Sequence, residues 1–239
     1  MIWIQHAIVF LLAIAGPVWD HFVFRRLKAN PSTRAKVNFY RRAIAMQWII
    51  SAIILICVGP SIFSAPPVFA WMRRTPSKIV AIACAAGILL ALIAPFFALR
   101  RQKARGTIRK AFGKLDYFVP TRRGEFFWFG ALCVTAGICE EWLARGFLFR
   151  YFGHAPWHWG LTAAFITASL IFGVNHLYQG AGGMLSATAI GVIMGFLYLW
   201  TGSLLAPMVV HAFVDLRALF LLKAVQIDRP GTEPAPANH

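Results

Sequence analysis

Apolar and polar positions along this chain come in blocks rather than alternating residue by residue. Seven apolar blocks stand out, at residues 2–19, 43–63, 79–99, 126–152, 157–176, 183–200 and 204–222. Crossing the hydrocarbon core of a bilayer takes about 20 helical residues at about 1.5 Å rise each. No stretch shows the period of two that membrane strands require. The pattern predicts an all-α membrane protein, a polytopic bundle of about seven transmembrane helices.

Composition agrees with a lipid-facing surface. Of the 239 residues 59% are hydrophobic and 13% charged, half the charged share of an ordinary soluble domain. The net charge of +16 would suit a nucleic-acid partner, but nearly every Lys and Arg falls between apolar blocks. That is the placement of juxtamembrane charge, so no nucleic acid is expected. The first connection carries Arg25, Arg26, Lys28, Arg34, Lys36, Arg41 and Arg42, and the third runs from Arg100 to Arg123; the second has Arg73, Arg74 and Lys78. Placing connections one and three in the cytoplasm puts the N-terminus outside and the C-terminus inside, in a prokaryotic inner membrane. Within the third connection Ile108, Phe112, Leu115 and Phe118 recur at near-helical spacing among basic residues. They predict either a surface helix on anionic lipid headgroups or a solvated basic loop.

Three regions follow. Residues 1–125 hold three helices and the basic amphipathic connector, 126–224 hold a four-helix core, and 225–239 form a Pro-rich tail expected to be disordered. Cys57, Cys84, Cys133 and Cys139 lie in apolar blocks without metal-type spacing, and Gly191 and Gly195 form a G-x-x-x-G that packing explains.

The chain has only eight acidic residues. Asp116, Glu125, Asp228 and Glu233 fall in connections or the tail, and Asp20, with His21 and His6, falls near an end of the first block, where headgroup contact suffices. Glu140, Glu141 and Asp215 remain inside apolar blocks. Each opposes insertion by about 2.5–3.5 kcal/mol at a helix centre, roughly 8 kcal/mol for three. Helical geometry supplies the offset. Glu141 and Arg145 are i, i+4 and share a face, while Glu140 is rotated about 100° and points elsewhere. One carboxylate pinned and one free is a sound way to present a general base. Phe172 and His176 are also i, i+4, as are His211 and Asp215, where the carboxylate can accept from the imidazole and fix its tautomer.

These segments resemble a known family. Glu140-Glu141-Trp142-Leu143-Ala144-Arg145 is similar to the E-E-x-x-x-R motif of the CAAX prenyl protease and bacteriocin-processing (CPBP, or Abi) family. Phe172 to His176 resembles its F-x-x-x-H, and His211 to Asp215 its H-x-x-x-N or H-x-x-x-D. The family's eukaryotic members trim prenylated CAAX proteins, and prokaryotic relatives include bacteriocin-processing and self-immunity proteins. The resemblance implies an intramembrane endopeptidase acting on a membrane-embedded or lipidated peptide or protein. It implies that Glu140 with His176 activates water, that His211 and residue 215 stabilise the oxyanion, and that Glu141, Arg145 and Phe172 hold the geometry. Asp215 departs from members with Asn there, because an ionised Asp only accepts. Alternatively, Glu140, His176, His211 and Asp215 could ligate zinc, for which they are suitable donors; water activation by Glu140 without a tightly bound metal is the expectation. The same residues also suit a catalytically silent immunity or binding factor, or a proton-coupled transporter.

Straight helices would set Glu140 and His211 past mid-bilayer and His176 near the cytoplasmic end. A water-accessible cavity must join them if hydrolysis is to occur.

Overall fold

The computed structural model describes residues 2–63, 78–153 and 157–226. Arg73 and Arg74, His154, and the tail from residue 227 with Asp228 and Glu233 lie outside the described residues. Among those described the chain is helical throughout, with no sheet: α1 Ile2–Ala29, α2 Thr33–Val58, α3 Lys78–Ala98, α4 Gln102–Gly113, α5 Arg123–Gly153, α6 Leu161–Val174, α7 Gly180–Thr201 and α8 Leu205–Gln226. The all-α membrane bundle is thus as expected. Five of these helices are long and apolar enough to cross a membrane: α1, α2, α5, α7 with its preceding turn, and α8.

Among the described residues five full crossings are accounted for, not seven. Helix α3 has 21 residues and is apolar over the part described in full, Ala86–Ala98, whereas α6 has 14 residues. At about 1.5 Å per residue α6 spans roughly 21 Å, short of a hydrocarbon core of about 30 Å.

The first helix runs ten residues beyond its apolar block, through Asp20 to Ala29. Its irregularity has a readable cause. Pro17 has no N–H to give, and the turn before it, Leu11–Ala15, widens to π geometry, with the Gly16 amide donating to the Leu11 carbonyl. The next carbonyl, Leu12, would then face Pro17 and go unpaired. The Asn175 side-chain amide donates to it at 2.9 Å. Helix α2 starts at a Ser32 cap, whose hydroxyl accepts from the Ala35 amide at 3.2 Å. Helix α7 stops at Gly202, in the left-handed conformation (φ 67°) that suits glycine.

Helix approach is set by small residues. A Cβ at Gly137 of α5 would lie 2.6 Å from the Ala212 backbone nitrogen of α8, and one at Gly173 of α6 would lie 1.9 Å from the Thr188 hydroxyl of α7. Neither helix pair tolerates a side chain at its crossing. Gly195 likewise admits the Phe165 ring, to within 2.7 Å of where its Cβ would be.

Two charges read from sequence as belonging to connections are structural. Glu125 opens α5, buried at 1% exposure, and accepts from the Thr121 and Arg122 amides at 2.8 and 3.3 Å. It closes the helix start as a third-position carboxylate does. Lys36 is equally buried, donates to the carbonyls of Asp116 and Val119 at 2.7 Å each, and lies 3.8 Å from Glu125. The Tyr40 hydroxyl donates to the Phe118 carbonyl. Together they clamp α2 to the segment that enters α5.

The basic connector does form a helix, α4. It does more than present charge. Arg105 and Arg109 donate to the Ala224 and Val225 carbonyls at 3.3 and 3.1 Å, closing the C-terminal turn of α8. The apolar side chains Phe112, Leu115 and Phe118 line a large cavity.

Candidate active site

The cavity has a volume of about 1460 Å³ and takes its walls from both halves of the chain. Apolar groups dominate, among them Trp19, Phe24, Leu27, Ile50 and Leu132. Set among them are Glu140 of α5, His176 at the end of α6, Asp215 of α8, Asp20 of α1, Gln47 of α2 and Tyr178. Three of the four residues expected to carry chemistry therefore open on one space.

The fourth, His211, is not at the wall. It is 4% exposed and packs edge-on to Phe172, with ring centres 5.7 Å apart. Phe172 in turn lies against His176 at 5.0 Å, so one phenyl ring separates the two imidazoles.

The adjacent glutamates divide as their helical angles require. Glu141 is fully buried, with Arg145 Nη1 3.0 Å from its carboxylate oxygens. Arg145, itself 1% exposed, donates through Nη2 to the Gly191 carbonyl at 2.5 Å and lies 4.8 Å over the Phe172 ring. A guanidinium is suited to three simultaneous contacts of this kind. The glycine pair of α7 thus does more than pack, since Gly191 lends the carbonyl and the room that Arg145 uses. The chain over Trp142–Leu148 is π-helical, and at more than four residues per turn this sets positions 141 and 145 nearly in line.

Glu141 has a second partner. Its Oε1 accepts from His211 Nδ1 at 2.8 Å, whereas Asp215 Oδ2 lies 3.7 Å from Nε2. Asp215, expected to fix the His211 tautomer, stands at ion-pair distance; the ring donates its hydrogen bond to Glu141 instead. The reason is the crossing at Gly137 and Ala212, one turn from Glu141 and next to His211, which brings the two helices close enough for direct contact. His176 has its tautomer fixed differently, by Nδ1 donating to the Phe172 carbonyl at 2.9 Å. Its Nε2 then carries the lone pair.

Glu140 is partly exposed to the cavity, and its Oε1 accepts from the Gln47 side-chain amide at 3.2 Å. Asn175, beside His176, is tied to α1 through Leu12 and to its own helix through the Ile171 carbonyl at 2.8 Å. Sequence gave no reason to single out Gln47 or Asn175: both are uncharged residues in apolar blocks. Asp20 and His6 were expected to meet headgroups. Instead Asp20 lines the cavity, and His6 pairs with the Tyr151 hydroxyl at 2.5 Å among Trp3 and Trp157.

The zinc alternative does not fit this arrangement. Among the described residues no three of His, Cys, Asp and Glu converge closely enough to hold a metal ion.

Membrane-spanning helices that turn carboxylates and the His176 imidazole onto a shared cavity define an integral membrane protein with a polar site within the bundle. Residues 122–217 match the family model of the Rce1-like, type II CAAX prenyl endopeptidases. That segment, less than half of the chain, is similar to the CAAX protease (CPBP) family. No curated protein and no solved structure gives a significant match. The matched segment holds Glu140, Glu141, Arg145, Phe172, His176, His211 and Asp215; Asp20, Gln47 and the helices that carry them lie before it.

Proposed function

We propose that this protein is an intramembrane endopeptidase that hydrolyses a peptide bond in a membrane-embedded or lipidated substrate, with Glu140 as the base that activates water. The observation that carries the proposal is the placing of Glu140 and His176 on one cavity while Glu141, the neighbouring carboxylate, is neutralised by Arg145. Glu140 takes a proton from water as its oxygen attacks the scissile carbonyl, and that proton passes to the leaving amine. His176 Nε2 is free to orient the same water. His211, held at Nδ1 by Glu141, lies behind the cavity wall; for its Nε2 to donate to the developing oxyanion, substrate binding must open the wall beside Asp215, and one such donor is then worth about 3–4 kcal/mol. Asp215 keeps that donor in line as an acceptor. The apolar walls, with Arg26, Arg42 and Arg217 among the lining residues, suit a substrate with a lipid chain and an anionic group.

The test is cleavage of a fluorogenic farnesylated CAAX peptide by purified protein in detergent, wild type against Glu140→Ala. The expected result is loss of at least about 100-fold in kcat, with an unchanged elution profile and a melting temperature within about 4 °C of wild type. Cleavage at the wild-type rate by Glu140→Ala would remove Glu140 from the mechanism.

A further inference from the structure

We infer that Gln47 of α2 is a positioning residue for the reaction, holding the carboxylate of Glu140 from outside the family-matched segment. The inference rests on the reading of Glu140 as the base.

Three observations carry it. Gln47 Nε2 donates to Glu140 Oε1 at 3.2 Å, and among the described residues this is the one hydrogen bond given to that carboxylate by a side chain. Turned the other way, the amide would set its oxygen against the carboxylate, two acceptors face to face. The Gln47 carbonyl oxygen is buried and has no hydrogen-bond partner, so nothing else fixes the amide. The contact with Glu140 does. Finally, Gln47 stands on a rigid support. Lys36, Tyr40, Ser51 and Ile54 share its stripe of α2 and are buried at 0–2% exposure, and α2 packs along α5 through that face.

The chemical consequence follows from the two oxygens of the carboxylate. With Oε1 occupied by Gln47, Oε2 is left for the water, and rotation about the last side-chain bond is arrested. A base turned away from the attack line loses rate, since positioning within about an ångström governs a large share of the barrier. Gln47 itself lines the cavity, but a leucine of similar volume keeps that part of the wall filled, so substrate binding changes little. Loss of Gln47 therefore lowers kcat and spares KM.

The experiment uses Gln47→Leu, similar in volume and unable to donate, with Gln47→Glu as a second variant that replaces the donor by an acceptor. Both are assayed on the farnesylated CAAX peptide in wild-type and Glu140→Ala backgrounds. The expected result is a kcat lower by about 10-fold or more with KM within about twofold, and no further loss when Gln47→Leu is added to Glu140→Ala. A kcat equal to wild type, a loss confined to KM, or additive losses in the double variant would overturn the inference. Melting temperatures of wild type, Gln47→Leu, Glu140→Ala and the double variant test the contact without substrate. Gln47→Leu lowers the wild-type melt by about 2–4 °C and leaves the Glu140→Ala melt unmoved; equal shifts in both backgrounds would count against it. Wild-type cleavage by Glu140→Ala sinks the function instead, whatever Gln47 does.

Discussion

Arg145→Ala is the perturbation with the largest effect on stability. Arg145 is 1% exposed and Glu141 fully buried, with 3.0 Å between guanidinium and carboxylate. Removing the guanidinium leaves a carboxylate in the bundle interior with His211 as its remaining partner. Breaking a buried ion pair by deleting one member costs about 3–5 kcal/mol. The Gly191 carbonyl loses its donor in the same step, and the face of Phe172 loses the group above it.

At roughly 2–4 °C per kcal/mol for a chain of this size, the melting temperature falls by about 6–20 °C. The assay is a melt in detergent followed by tryptophan fluorescence, alongside Arg145→Lys. Lysine keeps the charge but cannot reach Glu141 and Gly191 together in the planar fork, so it falls between wild type and Ala. If Arg145→Ala melts within about 2 °C of wild type, the pair is not what keeps Glu141 tolerable inside the bundle, and the division of roles between Glu140 and Glu141 loses its basis.

Two further substitutions test the framework around the site. Gly137→Ala places a Cβ 2.6–2.7 Å from the Ala212 backbone, where two helices rather than a flexible side chain must give way; a loss of about 1–3 kcal/mol is expected. Because the same displacement draws His211 from Glu141, peptide cleavage should fall as well, and a variant with wild-type melt and rate would contradict the crossing. Asn175→Ala strips the Leu12 carbonyl of its donor, with an expected loss of about 1–3 kcal/mol for a buried acceptor left unmade. A lower melt with reduced kcat is the outcome that fits, whereas unchanged values of both would show that the tie to α1 does nothing for His176.

What was legible in the sequence was what one helix decides alone. The apolar blocks are visible by length, and the Glu141–Arg145 pair follows from a spacing of four. Contacts between helices were not legible. Asp215 was the natural partner for His211 because it lies one turn away on the same helix, yet Glu141 is nearer, since Gly137 lets α5 and α8 touch. Lys36 and Glu125 read as connection charges because hydropathy sees one residue at a time; only the assembled corner supplies the carbonyls and amides that make their burial tolerable. The end of α1 was misplaced for a similar reason. Asp20 breaks the apolar pattern but not the helix, and the cavity gives its carboxylate somewhere other than lipid to face.

The difference in depth between Glu140 and His176 is met by the unequal lengths of the helices. Helix α6 ends at Val174 after 14 residues, so His176 sits on the turn beyond it, and the cavity extends from that turn to Glu140 and Asp215. The opposing wall comes from α1 and α2, through Trp19, Asp20, Phe24 and Gln47. The family-matched segment therefore supplies the carboxylates and imidazoles but only part of the enclosure. Without α1 and α2 the same residues would face lipid, where neither a reactive water nor an ionised Glu140 is stable. The N-terminal helices show no motif because their contribution is to exclude acyl chains, and many apolar sequences can do that. Gln47 and Asn175 are the exceptions: at these two positions the enclosure is joined to the chemistry by a hydrogen bond, so their replacement by apolar residues of similar size should be felt in turnover as well as in the fold.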